Sequence, residues 1–339
     1  MPGNYLVVGG AGFIGSHLVS GLLDRGDHVW VFDNLQTGHR AAVPTAARFI
    51  QGDLADPLVL DAALKCQQHW DGVFHLADLS LVGESMAAPM RYLTVNPGNA
   101  GRLIDACLRH GVSRLVFSSS ANLFGTAGPA PIDEHAPIRP GSAYGESKHT
   151  IERMLHWAER VHGLHSACLR FFNAAGCDPE GRFGEAHSPE THLIPLAIDA
   201  ALHRRSALSL FGADYPTPDG TCVRDYVHVC DLVSAHLLAM ARIETGSVRY
   251  NVGLGRGYSV REVIDTVSRI TGQAVPWRLA PRRDGDPAYL VASPTLIMRD
   301  TGWRPRFSTL DEIVSHALAW RLAHPHGYDR QPQHSLPVA

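Results

Sequence analysis

The sequence predicts an α/β protein built on a doubly wound parallel sheet, with a smaller C-terminal domain. Three observations carry that prediction. Short apolar runs alternate with longer stretches of helical periodicity through the first half of the chain. A cluster of glycines sits directly between the first such strand and the first such helix. Near residue 172 the alternation gives way to segments punctuated by Pro and Gly.

Residues 5–8, 28–32, 48–51, 72–76, 115–118 and 167–171 read as strands, several rich in the Val, Leu, Ile and Phe of strands covered on both faces. Residues 14–25, 57–66, 89–110 and 143–162 carry apolar side chains at three- and four-residue spacing, which predicts helices. Buried strands separated by helices form right-handed βαβ units on one parallel sheet. Past residue 172, Asp178-Pro179-Glu180-Gly181 and the stretch 215–220 break the pattern into loops. The runs at 225–229 and 249–252 are strand-like again and are expected to rejoin the sheet. After Pro325 the chain is polar and Pro-bearing, which predicts a loose tail.

A chain of 339 residues suggests two domains or one elaborated unit. Thirty basic against 33 acidic side chains leave a formal net charge of -3, which argues against nucleic acid or an anionic membrane as partner. No apolar run is long enough for a spanning helix. The N-terminus lacks the basic start and cleavage site of a secretory signal, so a cytoplasmic protein is expected. Six scattered cysteines without a C-x-x-C read as buried free thiols of a reducing compartment. The twenty histidines are dispersed and no H-E-x-x-H occurs, so no metal site is expected.

The first chemical signal is Gly9-Gly10-Ala11-Gly12-Phe13-Ile14-Gly15. Glycines there permit a tight turn and let backbone N–H groups approach a pyrophosphate at the positive end of the helix. A structural strand-to-helix turn would look similar, but Asp33 follows 18 residues past Gly15, at the end of the second strand. A carboxylate there can accept bonds from both adenosine ribose hydroxyls and would repel a 2′-phosphate, which favours NAD over NADP.

The second signal is Tyr144-Gly145-Glu146-Ser147-Lys148. Residues four apart share a helix face, so the Lys148 ammonium can sit beside the Tyr144 phenol and favour the phenolate, making a general base. With nine tyrosines and only two lysines, a chance pair at this spacing is expected about 0.05 times. Ser118-Ser119-Ser120 adds hydroxyls at the end of the fifth strand, where α/β sheets bind ligands, although serines there are more often turn residues.

Together, the glycine loop, the serine run and Tyr-x-x-x-Lys resemble the extended short-chain dehydrogenase/reductases, whose NAD-binding domain is a Rossmann sheet. Further segments narrow the likeness to the UDP-sugar 4-epimerases, above all the UDP-glucose/UDP-galactose branch. They include DNLQTGH (33–39), LRFFNAAGCDPEG (169–181), PETHLIPLA (189–197), LFGADYPTPDGTCVRDYVHVCDL (210–232) and PRRDGDPA (281–288). The resemblance covers the chain to about Tyr328. It implies an NAD-binding domain over 1–172 plus about 225–256. A UDP-sugar-binding domain would take about 173–224 and 257–328, with 329–339 as tail.

The resemblance also implies residue roles. Tyr144 takes the proton of the sugar 4-hydroxyl, Ser120 hydrogen-bonds the same oxygen, and Lys148 binds the nicotinamide ribose and keeps the tyrosine ionised. Beside Gly9, Gly12 and Gly15, the cofactor positions are Phe13, Ile14, Asp33, Asn34, Asp53, Leu54, Leu76, Ala77, Asn96, Lys148 and Phe172, with Ser80 standing where many relatives carry a lysine. Asn173, Leu193, Arg224, Arg283 and Asp286 fall on UDP-sugar positions. Leu290, or Tyr289 if the register slips by one, walls the sugar pocket. UDP-galactose and UDP-glucose are the expected substrates and a homodimer the expected assembly. Rivals are a 4-epimerase of UDP-N-acetylhexosamines or UDP-pentoses and a non-catalytic NAD-binding regulator. A sugar-nucleotide dehydratase is disfavoured, because Ser118-Ser119-Ser120 replaces the acid pair that elimination of water requires. Asp78, Asn122 and Phe124 depart from the family pattern.

Overall fold

The computed structural model describes residues 1–125, 128–283 and 285–328; the expected tail, 329–339, lies outside the described residues. The first half of the chain alternates as its periodicity predicts, with one short helix, α3, that was not expected: β1 (Asn4–Val8), α1 (Phe13–Asp24), β2 (His28–Asp33), β3 (Arg48–Gln51), α2 (Pro57–Lys65), β4 (Gly72–His75), α3 (Val82–Ala87), α4 (Pro89–Arg109), β5 (Arg114–Ser120), α5 (Ala143–His162) and β6 (His165–Phe171). The second half adds β7 (Asn173–Ala175), α6 (Leu193–Ala201), β8 (Leu208–Phe211), β9 (Val223–His228), α7 (Val229–Arg242), β10 (Val248–Val252), β11 (Gly257–Ser259), α8 (Val260–Thr271), β12 (Trp277–Ala280), β13 (Tyr289–Leu290), α9 (Thr295–Thr301) and α10 (Leu310–Ala323).

Seven strands make one parallel sheet in the order β10-β6-β5-β4-β1-β2-β3. Strand alternation explains why it is wound on both sides. In β1, Leu6 and Val8 face the side packed by Leu60 of α2, Leu103 of α4 and Ile151 of α5. Tyr5 and Val7 face the other, with Leu18 of α1 and Val233 of α7. The Ser142 hydroxyl caps α5 by accepting the Gly145 N–H, and Gly163 ends it in a left-handed turn at φ 72°. That cap fixes where the first turn of α5, and with it Tyr144, begins.

The two later strand-like runs part company. Residues 249–252 join the sheet as β10 beside β6, whereas 225–229 do not: β9 lies in a smaller sheet between β11 and β13 and also pairs with β7. Two causes act. The open edge of β6 is taken by β10, and the buried Asp225 carboxylate within β9 accepts N–H groups from Leu254, Gly255 and Ala292. A strand built around a buried acid pairs where donors exist for it. Around this smaller sheet α6, α8 and α10 share a separate core through Ile198, Val263, Ile313 and Trp320.

All six cysteines are free, and four of them are buried. Cys230 is half-buried and Cys66 exposed, against expectation, because Cys66 sits just past the end of α2, where the covered face stops. Among the described residues no helix is long and apolar enough to cross a membrane.

Candidate active site

In a parallel sheet all C-terminal strand ends open on one edge, and chain order reverses here between β1 and β4, leaving a crevice at that edge. The glycine loop leaves β1 into it. Gly9 has φ +84°, and a Cβ there would lie 2.7 Å from the Ala77 nitrogen. A Cβ on Gly15 would stand 2.1 Å from the Gly9 oxygen. Only glycine lets the turn close this tightly onto α1. Gly12 caps α1 without any side-chain bond, so the first-turn N–H groups face outward as an anion cradle.

Asp33, at the end of β2, accepts the Ala11 N–H at 2.9 Å and the Leu35 N–H at 2.8 Å, one on each oxygen. Burial pushes its carboxyl up from the ordinary value, and those two bonds oppose the shift. Each oxygen keeps a lone pair for a ribose hydroxyl. Asn34 donates to Asp53 at 2.8 Å across the exposed rim, and Leu54 is buried behind them. The buried Asn96 side chain pins the segment after β4, accepting the Leu79 N–H and donating to the Leu79 carbonyl and Ser147 hydroxyl. Leu76 and Ala77 are thereby held against Gly9, with Phe172 buried after β6. A glycine cradle plus a ribose-facing acid fits a dinucleotide. Ser80, in contrast, is exposed.

The three serines at the end of β5 are not equivalent. Ser118 bonds His236 Nε2 at 2.9 Å; His236 Nδ1–H serves the Leu232 carbonyl, so Ser118 must donate. Ser119 donates to Glu152 at 2.7 Å, and Glu152 is itself held by Arg170 through two bonds. The Ser120 oxygen instead accepts two N–H groups from Asn122, each at 3.1 Å, which leaves its own proton to give. The side chain that departs from the family pattern, Asn122, therefore orients the serine.

Tyr144 lies in the first turn of α5, and among the described residues its phenol makes no hydrogen bond. Lys148, one turn on, is buried with its ammonium 5.6 Å from the Tyr144 ring centre. That ammonium donates to the Ser118 carbonyl and to Asp78, both at 2.7 Å. Burial opposes its charge, but Asp78, supported by Tyr144 and Glu152, outweighs burial and raises Lys148 above the ordinary lysine value. One N–H remains for a ribose or for the phenol side.

On the other side of the crevice, Arg224 is already engaged. It donates to Asp286 at 3.1 Å and to the Val223 and Pro287 carbonyls at 2.9 and 2.8 Å. Arg283 stacks 3.9 Å over the Phe211 ring, so the two arginines do not form one fork here. Asn173 starts β7 beside Tyr226, and Leu193 starts α6. Leu290 is buried against Ala121, Phe124, Ile132, Phe172 and Ala292, between the serine strand end and the β6 exit, while Tyr289 is half-exposed.

Sequence reasoning left two features unassigned. Asp78 was visible only as an unusual charge, because its partner lies 70 residues away. Glu185, His187, Glu190 and His192 converge in the loop before α6, although no metal site was expected; the spacing E-x-H-x-x-E-x-H was the available signal.

The comparisons with known proteins agree with this geometry. Residues 5–253 match the model of the NAD dependent epimerase/dehydratase family. A UDP-glucose 4-epimerase of Halalkalibacterium halodurans is 46% identical over 330 residues, 96% of this chain and 98% of that one. One from Streptomyces lividans is 46% identical over 331 residues, covering 97% and 99%. The crystal structure of the Brucella ovis UDP-glucose 4-epimerase in complex with NAD is 42% identical, with a TM-score of 0.90 over 94% of this chain and 98% of that one. The chain belongs to the NAD dependent epimerase/dehydratase family.

Proposed function

We propose that the chain is a UDP-glucose 4-epimerase, interconverting UDP-galactose and UDP-glucose by inverting carbon 4 of the sugar. The observation that carries this reading is the Ser120–Tyr144–Lys148 set at the crevice. Ser118 and Ser119 give their protons to buried partners, whereas Ser120 keeps its own, on the sheet edge where the Tyr144–Lys148 pair opens.

Bound NAD supplies the acceptor and donor of hydride at carbon 4, so the sugar passes through a 4-keto form without net redox. The glycine loop and Asp33 hold its diphosphate and adenosine ribose ends. Tyr144 removes the 4-hydroxyl proton at its phenolate oxygen and returns it to the opposite configuration. Ser120, aimed by Asn122, hydrogen-bonds the same sugar oxygen. Lys148 keeps positive charge beside the phenol, and Asp78 keeps Lys148 charged despite burial. Arg224, Arg283 and Asp286 hold the UDP end; ligand binding brings the two guanidinium groups onto the diphosphate.

We divide the labour as residues 1–172 with about 225–256 for NAD, and about 173–224 with 257–328 for the UDP-sugar; at the boundary β9 pairs within the smaller sheet, and Ile297 and Trp303 pack into the core of the larger one. Leu290 walls the sugar pocket, its neighbour Tyr289 pointing to the other strand face. Leucine is larger than a small residue such as cysteine, so UDP-galactose and UDP-glucose are preferred; it is smaller than tyrosine, so UDP-N-acetylglucosamine still turns over, more slowly. We assign the enzyme to the cytoplasm, as a homodimer through α4 and α5. These helices lie side by side on the sheet, and Trp157 and Val161 of α5 are exposed. Light scattering at the 36.8 kDa of one chain would count against pairing. The deciding experiment is incubation with UDP-galactose, followed by chromatography for UDP-glucose. Formation without added reductant supports the reading, and its absence in NAD-loaded protein overturns it.

A further inference from the structure

The loop before α6 brings four potential ligand side chains together within eight residues. Glu185, His187, Glu190 and His192 each offer one ligand atom, and these atoms all lie within 4.8 Å of one another. His187 Nδ1 stands 3.1 Å from Glu185 Oε1 and 3.8 Å from Glu190 Oε1. His192 Nδ1 is 3.6 Å from Glu190 Oε1 and in closer contact with the same Glu185 oxygen. A tetrahedral ion with bonds of about 2.0–2.2 Å needs ligand–ligand edges of roughly 3.3–3.6 Å, and these separations bracket that span. Two imidazoles and two carboxylates make a mixed nitrogen–oxygen set suited to zinc, where calcium and magnesium prefer oxygen throughout.

A second observation is independent of the spacing. Glu190 Oε2 is buried and has no hydrogen-bond partner among the described residues, and the side chain is only 10% exposed. Glu185 is more deeply buried still, at 5%. Glu190 Oε1, the oxygen nearer the two imidazoles, accepts the Thr191 and His192 N–H groups; the unpartnered Oε2 is costly to bury, and a cation held by both oxygens satisfies it.

We propose that Glu185, His187, Glu190 and His192 form a binding site for a divalent metal ion of the zinc class, structural rather than catalytic. Its place in the fold gives it a task. The His187 ring packs edge-on against Phe13, the first residue of α1 after the glycine loop, with ring centres 6.3 Å apart. His39 donates to the Ala186 carbonyl at 2.7 Å, and the His39 N–H in turn bonds the Ala11 carbonyl in that loop. His192 is the residue that leads into α6 at Leu193. An ion at the cluster therefore ties the start of α6 to the loop that cradles the diphosphate. It bridges the two cores without touching the reacting atoms.

The competing arrangement is a metal-free cluster of histidinium–carboxylate pairs, and the two differ in what they bind. The test uses tag-free full-length protein, stripped with a chelator and titrated with Zn²⁺ alone by calorimetry, with metal analysis after desalting. One ion per chain is expected. At free zinc of about 100 Kd the melting temperature rises by roughly 3–5 °C. Co²⁺ substitution should give the visible absorption of a tetrahedral site. Because the chain has twenty histidines, uptake is compared with a His187→Ala, His192→Ala double variant, which should lose the ion, the spectrum and the thermal shift. Glu190→Gln, which keeps the shape of the side chain, should weaken binding tenfold or more; it decides the matter if the double variant does not fold. No uptake by the wild type, or equal uptake by wild type and Glu190→Gln, overturns the proposal.

Discussion

Replacing Asp78 by asparagine removes the countercharge of Lys148 while keeping the side-chain shape and an oxygen acceptor. In the folded protein the ammonium and carboxylate are 2.7 Å apart, with the lysine side chain 5% and the aspartate side chain 2% exposed. At an effective dielectric constant of about 20, charges at that separation attract by about 6 kcal/mol, before any replacement hydrogen bond is counted. Breaking one side of a buried pair costs about 3–5 kcal/mol in practice. Loss of that interaction moves the deprotonation of Lys148 to lower pH. The sign follows from the native arrangement. Burial opposes the charge, and Asp78 more than offsets it, so Lys148 sits above the ordinary lysine value. Its charge, and the help it gives the phenolate, is present below that value and is lost only as pH rises through it. In Asp78→Asn burial is left largely unopposed, and the loss moves down in pH, toward and below the ordinary lysine value. Turnover of UDP-galactose measured from pH 6 to pH 10 should show a falling alkaline limb in the variant where the wild type stays level. Superimposable profiles up to pH 10 would refute the claim that Asp78 maintains the Lys148 charge.

Tyr144→Phe should reduce epimerisation by at least roughly 100-fold while NAD stays bound, since the base is lost but the ring still packs; absorbance of the retained cofactor and product chromatography check the two halves. Ser120→Ala should lower kcat by about 10- to 1000-fold, whereas Ser118→Ala, whose hydroxyl serves His236, should cost less; equal losses would mean the hydroxyls are not specialised as their bonds suggest. Leu290→Tyr should shift kcat/KM against UDP-N-acetylglucosamine relative to UDP-glucose, and an unchanged ratio would remove Leu290 from the pocket wall. His17 and His236 are held near about 4 by burial, well below the ordinary histidine value. Both are neutral when folded, so between about pH 6.5 and pH 4 the unfolded chain binds protons that the native one refuses. Stability should then fall by about 2–3 kcal/mol per pH unit near pH 5, read as a falling urea midpoint; a midpoint level from pH 7 to pH 5 would contradict it.

Much of the architecture was legible because it rests on near neighbours in the chain. The first six strands and four helices follow from periodicity, and their observed ends fall within about two residues of the expected ones. The glycine turn is equally local, its φ and close approaches being demands that only glycine meets. The Tyr144–Lys148 spacing places both on one face of any helix they occupy. Those features pointed to a dinucleotide enzyme before any tertiary contact was known.

What the fold alone decided depends on residues distant in sequence. Three adjacent serines look alike in one dimension; only the arrival of His236 and Glu152 from α7 and α5 spends two of the protons and leaves Ser120 its own. The Asp78–Lys148 pair spans 70 residues, and Asp78 could have been a solvated charge until β4 and β5 were laid side by side. A strand-like run at β9 could not reveal which edge would take it, because β10 competes for the same place and the donors for Asp225 come from residues 254, 255 and 292. Even the Glu185–His192 cluster, short in sequence, depends on a loop path with no regular period to announce it. Local rules set backbone conformation and side-chain direction, so sequence alone determines the elements and their chemistry. Hydrogen bonds and ion pairs buried between elements require that every donor find its acceptor in three dimensions, and only the tertiary structure settles that matching.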